Sequence, residues 1–70
     1  MTTAQKIIEK STFISNPNVV EEMRNDALLT SSIEGKIEAY QDCFPTEYVN
    51  YKIAKLESQL QELKTKYGIE

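Results

Sequence analysis

The sequence has few of the residues from which chemical sites are built. Its 70 residues include no His, no Trp, one Cys, two Gly and two Pro. A lone thiol without a histidine has no base to activate it as a nucleophile, and it has no companion ligands for zinc. Two glycines are too few for a glycine-rich phosphate loop. These absences predict no metal, no cofactor and no enzymatic activity.

Long apolar runs and clusters of positive charge are also missing. The apolar stretches are only a few residues long, so we expect no membrane-spanning segment. Met1 is followed by polar Thr2 and Thr3, unlike a signal peptide, and a single thiol suits a reducing compartment, so we expect a cytoplasmic protein. Eight basic and eleven acidic residues give a net charge of −3, with no Lys/Arg cluster. Nucleic acid is therefore not the expected partner.

The chain is also too small to bury a large hydrophobic core. Mass scaling for 8.0 kDa gives about 4,500 Å² of folded and about 11,600 Å² of unfolded surface. Burying the apolar share contributes roughly 105 kcal/mol, and ordering the chain costs roughly the same. One Cys cannot form an internal disulfide, so self-association is the expected source of added stability.

What is present favours helices. Strand-like alternation is absent, and the pattern predicts a single all-α domain over 1–70: a short N-terminal helix followed by an antiparallel helical hairpin. Thr2 with Gln5 forms a capping-box pattern, and Pro17 after Asn16 is a typical helix start. The turn at 44–46 separates the second helix from the third, and Gly68 is suited to the end of the last. The predicted helices span about 3–14, 17–43 and 46–67.

The middle of the second helix allows an alternative. Thr30, Ser31 and Ser32 are poor interior residues, and Ser31 with Glu34 repeats the capping-box pattern. Gly35 weakens the helix further. One continuous helix is expected, with a kink or break at 30–32 as the alternative.

The last helix carries a coiled-coil-like heptad stripe, here called the seam. Its spacing alternates between four and three residues, and its members are Val49, Ile53, Leu56, Leu60, Leu63 and Tyr67. Ile at a with Leu at d favours two strands. The alternative interpretation is a core stripe that faces the preceding helix. Because Tyr48 and Tyr51 make the opposite side of this helix apolar too, we expect an oligomeric helical bundle, a dimer or higher, with the seam as interface.

One group resembles a ligand site: Ser31 and Ser32, with Lys36 and Tyr40 following within about two turns. If a helix restarts there, free N–H groups and hydroxyls would hold a phosphate, Lys36 would add charge and Tyr40 would stack on a base. The alternative is a set of capping residues around a kink.

Three other features have simpler interpretations. The acidic row Glu34, Glu38 and Asp42 is interpreted as a solvated helix face, and Cys43 as a small buried hydrophobe. The aromatic set of Phe44, Tyr48 and Tyr51 is expected to close the hairpin, with an exposed recognition patch as the alternative.

The favoured function is a non-enzymatic, homo-oligomeric interaction protein that binds and modulates another macromolecule, which we expect to be a protein. The composition is typical of phage and plasmid accessory or inhibitor proteins. The alternative is a homo-oligomer that sequesters a small anionic ligand, such as a nucleotide, at its subunit interfaces.

Overall fold

The chain folds into three helices, and the all-helical prediction is confirmed. The computed structural model describes residues 1–69, and these contain α1 (Thr3–Ser11), α2 (Pro17–Gln41) and α3 (Glu47–Lys66) without any strand. α2 packs against both α1 and α3. The described residues form a rod of 45 × 19 × 17 Å. None of the three helices is long and apolar enough to cross a lipid bilayer.

Local capping determines where α1 begins and ends. The Thr2 hydroxyl accepts a hydrogen bond from the Gln5 amide at 3.1 Å, and the Gln5 side chain accepts one from the Thr2 amide at 2.9 Å. This reciprocal pair is the predicted capping box. α1 ends at Ser11, before the expected end near residue 14. Beyond it, the amides of Thr12, Phe13 and Ile14 each donate to the carbonyl oxygen three residues earlier, which forms a turn. Phe13 lies in this turn and is 84% exposed.

α2 runs without a break through residues 30–32, the segment for which the sequence also allows a kink. It starts at Pro17, where the Asn16 side chain accepts from the Asn18 amide at 3.0 Å. Thr30 is fully buried, and its hydroxyl donates to the Asp26 carbonyl oxygen at 2.8 Å. This bond to the preceding turn lets a polar β-branched residue occupy a buried helical position.

The turn between α2 and α3 leaves its large side chains in solvent. Thr46 caps α3 by accepting from the Val49 amide at 3.2 Å. Cys43 is exposed, so the interpretation as a buried hydrophobe is wrong. Phe44 is 84% exposed, and Tyr48 and Tyr51 are 62% and 61% exposed. The aromatic set therefore does not close the hairpin, because a two-helix end has no third element to cover these rings.

The main core cluster lies at the other end of the rod. It is built from Ile7 of α1, Met23 and Ala27 of α2, and Ile69, which follows α3. Ala4 and Tyr67 pack against this cluster. Ile33 is buried separately, farther along α2. Only the half of α2 that packs against α1 therefore belongs to a three-element core.

Gly68 brings Ile69 into that core. Its φ of 65° lies in the left-handed region that favours glycine. The Gly68 amide donates to Thr65 at 3.2 Å, and the Ile69 amide donates to Lys64 at 2.7 Å. This pair of bonds is the Schellman motif, which turns the chain back over the end of α3. Ile69, 7% exposed, thereby joins the core cluster.

Candidate interaction surfaces

The most apolar concave surface lies between α1 and α2, and we call it the α1/α2 groove. It has a volume of about 560 Å³. Three large apolar side chains beside it are exposed: Met1 at 75%, Ile8 at 43% and Leu28 at 71%. Ala4 and Ala27 are small and leave the groove open. The lining is completed by Gln5, Glu9, Arg24 and Ser31.

Two further grooves follow the line where α2 packs against α3, and they share Gln59. The first, of about 380 Å³, is lined by Leu29, Ile33, Gln59, Glu62, Leu63 and Lys66. The second, of about 290 Å³, lies nearer the hairpin turn and is called the lysine groove. It is lined by Lys36, Tyr40, Lys52, Lys55, Leu56 and Gln59.

The lysine groove is the place where positive charge concentrates. Lys36 comes from α2, while Lys52 and Lys55 come from one side of α3. Lys52 Nζ also lies 5.5 Å from the centroid of the Tyr48 ring. The salt bridges found among residues 1–69 all belong to Lys66, so the three lysines of this groove have no carboxylate partner there.

The opposite end of the α2–α3 packing is fixed by a polar cluster. Lys66 Nζ lies 2.7 Å from Glu22 Oε1 and 2.9 Å from Asp26 Oδ2. The Tyr67 hydroxyl donates to the same Asp26 carboxylate. These contacts dock the end of α3 on the first half of α2.

This cluster shifts three pKa values. Partial burial acts to raise the pKa of Asp26, but hydrogen bonds from Tyr67 and Lys66 and the Lys66 charge outweigh it, and the pKa is lowered. Burial and the hydrogen bond to Asp26 raise the pKa of Tyr67 to about 12. Hydrogen bonds to Glu22 and Asp26 raise the pKa of Lys66.

Five of the six seam residues lie along one side of α3, Tyr67 directly follows the helix, and all six are half-buried. Tyr67 contacts Asp26, Leu63 shares a groove with Leu29 and Ile33, and Leu56 shares one with Tyr40. α2 therefore covers part of the seam. The rest of each side chain stays accessible.

The four residues of the predicted ligand site do not converge within one chain. Ser31 lines the α1/α2 groove, whereas Lys36 and Tyr40 line the lysine groove. Ser32 is exposed between them. Because α2 is continuous, its backbone amides at 30–32 are not the free N–H groups of a helix start. Sequence reasoning missed Lys52 and Lys55, whose proximity to Lys36 depends on the register of the hairpin.

The acidic row is not a uniform solvated face. Glu38 and Asp42 are exposed, but Glu34 is half-buried, and its Oε1 is a buried atom without a hydrogen-bond partner. Within residues 1–69, no three His, Cys, Asp or Glu side chains lie close enough together to hold a metal ion.

No protein-family model, curated protein or solved structure matches this chain.

Proposed function

We propose that the chain is a small, non-enzymatic helical interaction protein that self-associates and, in that form, binds and modulates another macromolecule. The observation that carries the proposal is the α1/α2 groove with Met1, Ile8 and Leu28 exposed beside it. Apolar side chains gathered around an open groove are typical of a surface that another chain covers.

The size of the exposed surface supports self-association. The chain exposes 5129 Å², whereas a compact protein of this mass exposes about 4,500 Å². The excess, about 600 Å², is somewhat smaller than the roughly 800 Å² that each partner contributes to a standard interface. We therefore assign the α1/α2 groove to a second copy of the chain, with Leu28 as its central apolar contact.

The seam of α3 is the other candidate for this interface. Its half-buried residues would be covered further if two hairpins paired around a two-fold axis. The two interfaces differ in one respect. Leu28 is 71% exposed and contributes little to the fold of one chain, whereas Leu60 packs partly within the hairpin.

The hairpin tip, formed by Phe44, Tyr48 and Tyr51, is the proposed contact for the other macromolecule. Exposed aromatic rings supply large contact areas at a low entropy cost and dominate many protein interfaces. The tip lies at the end of the rod away from the α1/α2 groove, so both surfaces would be available at once.

Sedimentation equilibrium across micromolar concentrations tests self-association. The wild type should form dimers or larger species, and Leu28→Glu should sediment as a single chain. Phe13→Glu is the matched control, because Phe13 is also highly exposed but does not line the α1/α2 groove. A monomeric wild type would reject self-association, and an associated Leu28→Glu variant would reject this groove as the interface.

A second candidate function is binding of a small anionic ligand. The observation that favours it is that Lys36 and Tyr40, both expected in such a site, share the lysine groove with two more lysines.

A further inference from the structure

The lysine groove has the charge of an anion site without any anion of its own. None of the residues that line it is acidic. Lys36, Lys52 and Lys55 all line this groove, and a bound anion would offset the repulsion between their charges. The concentration is notable because the whole chain has eight basic residues and a net charge of −3.

The other lining groups are suited to an organic ligand. The half-buried Tyr40 ring and Leu56 provide apolar contact, and the Gln59 amide can both donate and accept hydrogen bonds. The Tyr48 ring, 62% exposed, does not line the groove, but its centroid lies 5.5 Å from Lys52 Nζ. Aromatic rings stack on nucleobases, and lysines bind phosphate as point charges.

The volume of the groove limits the ligand. About 290 Å³ lies just below the range for small-molecule sites, about 300–1,000 Å³. A single nucleotide unit is therefore a better match than a long polymer, which would have to extend over the hairpin tip.

We propose that the lysine groove binds a nucleoside polyphosphate, with Lys36, Lys52 and Lys55 on the phosphates and Tyr40 and Gln59 on the base. The site is complete within one chain. The inference deepens the second candidate function and rests on it, but it does not depend on self-association.

Isothermal titration calorimetry of the full chain with ATP, tripolyphosphate and adenosine tests the site. ATP should bind more tightly than tripolyphosphate because its base adds stacking, and adenosine should bind more weakly than either. Lys55→Gln should weaken ATP binding by about fivefold or more, on the order of 1 kcal/mol. Lys10→Gln removes the same charge from an exposed position on α1 and should leave the affinity unchanged.

Three results would overturn the assignment. The first is the absence of any binding heat when ATP is added to about 1 mM. A Kd of about 1 mM corresponds to a binding free energy of about 4 kcal/mol. The second is an equal loss of affinity in Lys10→Gln and Lys55→Gln. The third is a protein that binds a twelve-nucleotide oligothymidylate but does not bind ATP. This result would assign the lysines to a nucleic-acid surface. Leu28→Glu should keep the wild-type affinity for ATP, so failure of the self-association proposal is measured separately from failure of this one.

Discussion

Gly35 shows how one residue weakens a helix without any packing reason. It lies inside α2, and a Cβ built on it would meet nothing within 4 Å. Alanine should therefore fit without a clash and reduce the freedom of the unfolded chain.

We expect Gly35→Ala to raise the free energy of unfolding by about 1 kcal/mol. Urea denaturation monitored by circular dichroism at 222 nm would measure it. Gly68→Ala is the contrasting variant: its φ of 65° should make alanine destabilising by about 1 kcal/mol. Equal effects of the two substitutions would contradict this explanation.

Asp26 and Tyr67 link stability to pH at both ends of the scale. The lowered pKa of Asp26 means that its contribution is present above the ordinary carboxyl pKa of about 4 and is lost as the pH falls. The pKa of Tyr67, raised to about 12, means that its contribution is complete below pH of about 10 and is lost as the pH rises toward 12.

Tyr67→Phe should lower the free energy of unfolding by about 1 kcal/mol at neutral pH, because Asp26 loses a hydrogen bond. The variant should also lose less stability than the wild type between pH of about 10 and 12. Denaturation curves collected over this pH range would measure both effects. An unchanged alkaline loss would show that Tyr67 is not the responsible group.

Among the elements, α1 depends most on contacts from elsewhere. It has nine residues, fewer than an isolated helix needs to be stable in water. Its buried Ile7 belongs to a cluster completed by Met23, Ala27 and Ile69. The position of α1, and with it the α1/α2 groove, therefore depends on the turn at Gly68.

Ile69→Ala should destabilise the chain by about 2–4 kcal/mol, with the effect concentrated in α1. Hydrogen exchange read out by NMR should show protection lost from the α1 amides before those in the middle of α2. Val19→Ala, at an exposed position of α2, is the control and should have a small effect. A uniform loss across all three helices would instead indicate one cooperative unit.

The whole molecule is an uneven rod, with three elements around its core at one end and two helices at the other. Leu60 lies on the seam and is half-buried, so a charge there disturbs the hairpin whatever the chain binds. Leu60→Glu should lower the free energy of unfolding by about 2 kcal/mol, as measured by urea denaturation at a concentration at which the wild type is monomeric.

The same variant at higher concentration tests the seam as an interface. If the seam mediates association, Leu60→Glu should dissociate the oligomer, whereas Leu28→Glu should leave it intact. The opposite pattern would assign association to the α1/α2 groove. Full stability of Leu60→Glu as a monomer would show that the seam does not pack within the hairpin.

Local signals made most of the fold predictable. The Thr2–Gln5 capping box, the Asn16–Pro17 start and Gly68 each act within a few residues. Cys43 is exposed rather than buried, and Glu34 is half-buried rather than solvated. Both expectations are wrong because burial depends on which elements pack nearby. Their own sequence neighbours do not reveal it.

The candidate sites were less predictable for the same reason. Lys36 and Tyr40 could be selected from one helix, but Lys52 and Lys55 join them only through the hairpin register. Ile69 follows the last helix and belongs to no periodic pattern, so its place in the core becomes visible only when both ends of the described chain are seen together.

The contact of Ile69 with a cluster containing Ile7 also has a kinetic meaning. α1 and α3 each pack on α2, their neighbour in sequence, and such local contacts favour rapid folding. The cluster that joins Ile69 to Ile7 must close nearly the whole chain into a loop, so it should form after the rate-limiting step. Interactions formed that late mainly slow unfolding. The turn at Gly68 would thus affect the unfolding rate of the chain more than its folding rate.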